Sequence, residues 1–132
     1  MPVFNFQKQF KPSILSGRKI STIRAKRKGQ PGERAVLWTG NGFFKDERLG
    51  EAYLTTVKQI TLFADFEMDE LEICLERSLT QDSTYLAVLN KDDALNVALN
   101  EGFQSLDEMK LWFRLNQELP FRGFLHTWDK LK

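Results

Sequence analysis

The stretch that best indicates the fold is Pro12-Ser13-Ile14-Leu15-Ser16-Gly17-Arg18-Lys19-Ile20-Ser21-Thr22-Ile23-Arg24. Its first half is typical of a single helical turn, because Pro12 begins it and Gly17 ends it. Its second half is rich in β-branched residues and predicts a strand over residues 20–25. Three cations and two hydroxyls fall within eight residues after the helix terminator, so we expect functional side chains here.

The next part of the chain predicts further strands. Residues 34–39 and 51–63 have β-branched and alternating patterns, and Gly40, Gly42 and Gly50 bracket a polar loop between them. The acidic segment 64–77 fits both the helical period and the strand period, so the sequence leaves its structure open.

The last third predicts two helices and a closing strand. Asn90 can cap a helix that ends at Asn100, and Ser105 with Glu108 forms a capping box for a second helix before Pro120. Residues 121–128 then predict a strand. Strands first, helices in a late crossover and a final strand indicate an α+β fold, a small mixed β-barrel with helices packed at its side.

Length and composition favour one domain over residues 1–132. The chain has 42% hydrophobic residues and no apolar run of the roughly 18 residues that a membrane span needs. The first residues lack the pattern of a secretory signal, so we expect a cytoplasmic protein without membrane contact. Cys74 and His126 are the only cysteine and histidine. We therefore expect no metal and no cofactor.

The small net charge of +1 hides an asymmetry. Residues 1–34 hold nine Lys or Arg and one acid, whereas the remaining 98 residues hold ten Lys or Arg and seventeen acids. A basic end on a nearly neutral protein is compatible with an anionic partner, and also with a solvated surface.

Several short motifs occur in a characteristic order. They are the Gly-x-Lys-x-x-Thr-x-Arg string of residues 17–24, Pro31-Gly32-Glu33, Leu37-Trp38-Thr39-Gly40, Asn100-Glu101-Gly102-Phe103 and Gly123-Phe124-Leu125-His126-Thr127-Trp128. In this order, and over nearly the whole chain, the sequence resembles the ASCH superfamily of PUA-like domains. The resemblance implies a PUA-type β-barrel with a cleft beside the barrel mouth.

Small bacterial members that this chain resembles include N4-acetylcytidine amidohydrolases. The resemblance implies hydrolysis of the exocyclic N4-acyl amide of an acylated cytidine, with Lys19, Thr22 and Glu101 as catalytic residues. We further expect the substrate-binding residues to be Arg24, Ser21, Arg18 and Trp38. Ile20 departs from the family pattern, which often has Thr there. The expected partner is a small nucleoside or RNA, and we expect a monomer or weak dimer.

The residues themselves leave the division of roles open. Thr22 could attack the acyl carbon, with either Lys19 or Glu101 as the base. On a regular strand Lys19 and Thr22 point to opposite faces. Either the strand therefore begins irregularly near Ile20, or Ser21 supplies the hydroxyl. His126 is more typical of a hydrogen-bonded structural residue than of a catalyst.

An RNA-binding module of the PUA-like type is the alternative. Its basic segment would contact phosphates while an exposed Phe43, Phe44 or Tyr53 stacks on an unpaired base. Ribonuclease activity is a further form of this alternative, since it needs both phosphate contacts and an acid/base pair.

Overall fold

The computed structural model describes residues 1–41, 44–65 and 70–132. Over these residues the chain folds into an α+β structure with seven strands and three α-helices. A single turn of 3-10 helix at Lys8–Phe10 precedes the first α-helix. The elements are β1 (Val3–Phe6), α1 (Lys11–Leu15), β2 (Ser21–Arg24), β3 (Arg34–Asn41), β4 (Phe44–Asp65), β5 (Glu70–Ser78), β6 (Thr84–Val88), α2 (Lys91–Asn100), α3 (Leu106–Asn116) and β7 (Phe121–Trp128).

The strands form one mixed sheet that branches at β4. The main path runs β1-β3-β4-β5-β6, and β7 pairs with both β4 and β2. The pair of β1 with β3 is parallel, and the other pairs are antiparallel. The predicted α+β class is confirmed.

The sheet is not closed into a barrel, which corrects that part of the prediction. In the described ranges no strand ladder joins β1 to β2. A side chain bridges the two strands instead, because the Arg24 guanidinium on β2 donates to the backbone oxygen of Asn5 on β1 at 2.8 Å. The gap between these strands is where the candidate site lies.

Strand β4 is longer than the sequence predicts. It begins at Phe44, so the expected polar loop up to Gly50 is wrong over residues 44–50. The polar residues there pair with β3 across two register irregularities, which absorb the break in the alternating pattern. The ambiguous acidic segment resolves as strand β5, with Leu71 and Ile73 buried. Its residues 66–69 lie outside the described part.

The predicted helix ends are confirmed. Asn90 Oδ1 accepts a hydrogen bond from the Asp93 amide at 2.8 Å, and Ser105 Oγ accepts one from the Glu108 amide at 3.0 Å. These caps begin α2 and α3. Both helices lie between β6 and β7 along the chain, which is the predicted crossover. Within the described residues, no helix has the length and apolar character needed to cross a membrane.

Two hydrophobic clusters form the interior. One joins α2 and α3 to β5, β7 and the second half of β4, and contains Met109 and Phe113. The other joins β1, α1, β3 and the first half of β4, and contains Phe4 and Phe6. The candidate site lies where the two clusters meet.

Candidate functional site

A cavity of about 280 Å³ opens between β1, β2 and α3. Its volume is close to the lower end of the range for small-ligand sites. Its lining combines aromatic side chains with the polar side chains of residues around β2. The lining residues are Asn5, Phe6, Gln7, Phe10, Lys19, Thr22, Ile23, Arg24, Glu101, Phe103, Trp112, Phe113 and Gln117.

Lys19 lies in the short connection between α1 and β2 and is only 4% exposed. Its backbone amide donates to Ser13 at 2.9 Å, which fixes the chain after the helix terminator. Its ammonium donates to two backbone oxygens, that of Ser21 at 2.8 Å and that of Glu101 at 2.7 Å. Two of the three Nζ positions are thus occupied by the backbone, and the third is left for another partner.

The surroundings of Lys19 lower the pKa of its amine. Burial lowers the pKa of the Lys19 amine, and the charge of Arg24 lowers it further, whereas the negative charge of Glu101 raises it. The net direction is downward from the ordinary value of 10.5. The rings of Phe6 and Phe10 lie 5.5 and 5.2 Å from Nζ, so the amine is sheltered on an aromatic surface.

Glu101 follows the last turn of α2 and is 6% exposed. Its carboxylate accepts hydrogen bonds from the Ser21 hydroxyl and from the Ile23 amide, the latter at 3.1 Å. The Asn100 backbone oxygen also accepts from the Ile20 amide at 2.8 Å. The end of α2 is therefore attached to β2 by main-chain and carboxylate contacts, which offset the unfavourable position of an acid at the negative end of a helix.

The two hydroxyls of β2 have different surroundings. Thr22 lines the cavity, and its Oγ1 accepts a hydrogen bond from Arg24 Nε at 3.0 Å. Ser21 is 1% exposed, does not line the cavity and donates to Glu101. Strand β2 begins only at Ser21. Lys19 precedes the regular strand, and for this reason it reaches the same cavity as Thr22.

Arg24 connects the two polar strands of the site. Its guanidinium spans Thr22 Oγ1 and the backbone oxygen of Asn5, and lies 5.0 Å from the centre of the Phe6 ring. Two of its five N–H groups are used in these hydrogen bonds. The guanidinium thus holds Thr22 beside β1 and retains further donors.

Of the seven residues that the sequence selects, Lys19, Thr22, Arg24 and Glu101 line the cavity, and Ser21 touches it only through Glu101. The other two, Arg18 and Trp38, do not line it. Arg18 is exposed, and Trp38 is half-buried on β3.

The sequence also proposes three aromatic residues for stacking on a base, and the structure describes the side chain of one of them, Tyr53. Phe43 lies outside the described residues, as does the side chain of Phe44. Tyr53 is exposed on β4, where the Lys132 ammonium lies 5.7 Å from its ring.

Sequence reasoning missed the amide and aromatic side chains of the cavity. Asn5, Gln7 and Gln117 line it, and the even spacing of Phe4 and Phe6 around Asn5 is the one local signal for a strand there. Trp112 is half-buried and lines the cavity with Phe103, and their ring centres are 6.3 Å apart. Both arise from α3 and the preceding turn, which are far from β2 in the sequence.

His126 has the structural role that the sequence predicts. It is completely buried on β7, and its Nε2 accepts a hydrogen bond from the Lys28 amide at 2.9 Å. The Nδ1 atom therefore carries the proton and faces the Thr22 backbone oxygen at 3.3 Å. Burial lowers the pKa of His126, and the nearby cations lower it further. This neutral imidazole supports β2 from behind the cavity.

In residues 1–41, 44–65 and 70–132, no group of three or more His, Cys, Asp or Glu is placed to hold a metal ion. Scans of the chain against family models, curated proteins and solved structures found no match. The functional argument accordingly depends on the geometry of the cavity.

Proposed function

We propose that this chain is a PUA-like domain of the ASCH type that hydrolyses the N4-acyl amide of an acylated cytidine, giving cytidine and a carboxylate. The observation that carries the proposal is the shared cavity of Lys19, Thr22 and Glu101, residues from two distant parts of the chain. A buried amine of lowered pKa in the same cavity as a buried hydroxyl is an arrangement suited to nucleophilic catalysis.

In the first step, Thr22 Oγ attacks the acyl carbon while neutral Lys19 Nζ takes the hydroxyl proton. The Nζ position that the two backbone oxygens do not use is the one that accepts this proton. The resulting ammonium and the unused N–H groups of Arg24 stabilise the oxyanion that forms.

In the second step, the tetrahedral intermediate breaks its carbon–nitrogen bond. Lys19 returns the proton to the departing N4 nitrogen, so cytidine leaves and the acyl group stays on Thr22 as an ester. Water then attacks the ester carbonyl, and Lys19 accepts a proton from it. When the tetrahedral intermediate breaks its bond to Thr22 Oγ, Lys19 returns this proton to Oγ, which restores both the hydroxyl and the neutral amine. The carboxylic acid that forms loses its remaining proton to water and leaves as the carboxylate.

Glu101 acts as a positioning residue in this scheme. Its carboxylate is occupied by Ser21 and Ile23, and its backbone oxygen holds Lys19. These contacts favour Lys19 over Glu101 as the base. The inaccessible hydroxyl of Ser21 likewise favours Thr22 as the nucleophile.

The aromatic side chains of the cavity suit a flat substrate. Phe10, Phe103 and Trp112 line the cavity together with the polar residues. A pyrimidine ring can pack against these faces while its exocyclic amide lies toward Thr22.

The direct test is incubation of the protein with N4-acetylcytidine and chromatographic measurement of cytidine. We expect turnover by the wild type, and a loss of about a hundredfold or more in kcat/KM for Thr22→Val and Lys19→Met, since each removes a reacting group. Thr84→Val and Lys130→Met are matched controls, because both residues are exposed and distant from the cavity lining. Full turnover by Thr22→Val or by Lys19→Met would overturn the proposed mechanism.

RNA binding is the second candidate, and exposed cations favour it. Arg18, Lys26 and Arg27 are exposed beside or within the basic segment. Binding through phosphates weakens steeply as salt rises, whereas hydrolysis of an uncharged nucleoside does not. An RNA titration at two ionic strengths, together with absence of cytidine release, would favour the binding module over the hydrolase.

A further inference from the structure

Arg24 is a cation of the cavity lining that has no ionic partner. Its Nε donates to Thr22 Oγ1 and its Nη2 to the Asn5 backbone oxygen, and both acceptors are uncharged. Among the residues that the structure describes, no carboxylate forms a salt bridge with this guanidinium. A half-buried charge without a counterion is unfavourable, and an anionic ligand compensates for it.

The Nη1 atom of Arg24 is the part of the guanidinium that is free to bind a ligand. It forms no hydrogen bond within the described residues, and it is not one of their buried unpaired atoms, so it is open to water. Its two N–H groups are therefore available donors on a residue that lines the cavity. A carboxylate suits such donors, because charge-assisted hydrogen bonds from arginine are strong.

The charges of the cavity favour a ligand with a single negative charge. The charged residues among those that line it are Lys19, Arg24 and Glu101. The Glu101 carboxylate already accepts from the Ser21 hydroxyl and the Ile23 amide. With Lys19 as the ammonium, two positive charges and one negative charge leave +1. A monoanion neutralises this charge, whereas a dianion such as phosphate would make the cavity negative.

The apolar part of the lining indicates an organic monoanion. Phe10, Phe103 and Trp112 supply aromatic surface in the same cavity. A short aliphatic carboxylate has an anionic end for Arg24 and a hydrocarbon end for this surface. The carboxylate that the proposed hydrolysis releases has this chemistry.

We infer that the cavity binds the short carboxylate that the reaction releases, with its oxygens on Arg24 Nη1 and the Lys19 ammonium, and that this product competes with the substrate. The inference rests on the proposed function and adds how the same site is regulated. Cytidine leaves before the ester is hydrolysed, so the carboxylate is the last product and combines with the free protein. A bound carboxylate also stabilises Lys19 as the ammonium, which cannot take the proton of Thr22.

Binding is tested without turnover by NMR titration of the wild type with sodium acetate at about pH 7, where acetate is ionised. The signals to follow are the Ile23 amide and the Arg24 Nε–H. Acetamide is the uncharged ligand of similar shape, and sodium chloride keeps the ionic strength constant. Acetate should bind about tenfold or more tightly than acetamide, since it adds a charge-assisted hydrogen bond. Equal affinity for the two ligands would overturn the inference.

A variant tests the residue itself. Arg24→Gln removes the charge and keeps an amide donor, so it should lose the preference for acetate. Arg122→Gln is the matched control, because Arg122 is exposed on β7 and does not line the cavity; it should bind acetate as the wild type does. A folded Arg24→Gln that binds acetate with unchanged affinity would refute the role of Arg24.

Arg24 also joins β1 to β2, so urea unfolding must show that Arg24→Gln is folded. If it is not folded, Lys19→Met replaces it in the test, because this change removes the second cation and leaves the Arg24 hydrogen bonds in place. Lys19→Met should bind acetate more weakly than the wild type, and equal binding would count against the inference.

Inhibition is measured from initial rates of N4-acetylcytidine hydrolysis in sodium acetate and in sodium chloride of equal ionic strength. Acetate should raise KM and leave kcat unchanged. If cytidine is released but acetate neither binds nor raises KM, the inference fails and the hydrolase stands. If acetate binds with the expected preference and no cytidine is released, the proposed function fails and the carboxylate site stands without its regulatory role.

Discussion

At the scale of single residues, opposing effects act on the pKa of the Lys19 amine. Burial lowers its pKa, the carboxylate of Glu101 raises it, and two backbone oxygens hold the ammonium in place. A lysine in such surroundings exchanges a proton at a lower pH than an exposed one, which is the property that a general base requires.

This gives a prediction for the pH dependence of hydrolysis. The kcat/KM of the wild type should rise with pH as Lys19 loses its proton, with a midpoint below 10.5 because burial lowers the pKa. Lys19→Arg keeps the positive charge but cannot act as a base, so it should be inactive throughout the accessible range. Initial rates between about pH 6 and 10, corrected for spontaneous hydrolysis, measure both effects. A flat wild-type profile would exclude Lys19 as the base.

The catalytic candidates could be predicted from sequence, whereas most of the cavity wall could not. Lys19, Thr22 and Glu101 stand in recognisable motifs with distinct chemistry. Asn5 is an ordinary polar residue between two phenylalanines, and only the folded structure shows that its oxygen is buried without a partner. Whether a side chain finds a hydrogen-bond partner far away in the sequence depends on the tertiary structure, and local sequence patterns carry no information about it.

At the scale of elements, the turn after α2 sets the position of Lys19. Gly102 has a φ of +95°, and a Cβ added there would lie 3.3 Å from both Cβ and Cδ of Lys19. Glycine at this place therefore serves both the left-handed helix end and the close approach of the lysine stem.

Gly102→Ala should reduce both stability and hydrolysis. The left-handed conformation costs a residue with a Cβ about 1–2 kcal/mol, and the added methyl presses on Lys19. Gly32→Ala is the matched control, since Gly32 has a φ of +94° but open space around it. Urea unfolding should show similar losses for both variants, and only Gly102→Ala should lower kcat/KM. Equal hydrolysis by the two variants would show that the Gly102 contact does not position Lys19.

The helix ends could be predicted because their signals are local in the sequence. The strands whose bounds depend on pairing with another strand could be predicted less well. The caps at Asn90 and Ser105 are short-range hydrogen bonds between neighbouring residues, and the sequence identifies them. The start of β4 at Phe44 depends on its ladder with β3, and polar residues obscure it. The β5 strand was ambiguous for the same reason, because its ladder with β4 decides between two periods that the residues fit equally.

At the scale of the whole molecule, the open side of the sheet is the feature that holds the candidate site. The order of strands predicts a barrel, but β1 and β2 are joined by Arg24 instead of by a backbone ladder. The cavity occupies this gap, at the junction of the two hydrophobic clusters. Sequence periodicity indicates which residues are buried. It cannot show whether β1 and β2 pair with each other and so close the sheet into a barrel.

His126 links the stability of the whole fold to pH. Its folded pKa lies below the ordinary 6.5, so the unfolded chain binds a proton more readily than the folded one. The free energy of unfolding should therefore fall as pH drops below about 6.5, by no more than about 1.4 kcal/mol per pH unit from this group. Urea titrations at several pH values down to about pH 5 measure this slope.

The control for this pH effect is His126→Gln. It has no titrating group at this position, so the slope should flatten even if the variant is less stable overall. Since His126 is the only histidine, its imidazole resonance in an NMR titration reports the folded pKa directly. A folded pKa above 6.5 would contradict the neutral imidazole that supports Thr22.

The most direct measurement of the central claim is the kcat/KM for N4-acetylcytidine of Thr22→Val, Lys19→Met and the double variant, compared with the wild type. If the hydroxyl and the amine act as one unit, the double variant loses no more than the more damaging single variant. Losses that multiply, or cytidine release that persists at the wild-type rate when either group is removed, would contradict it.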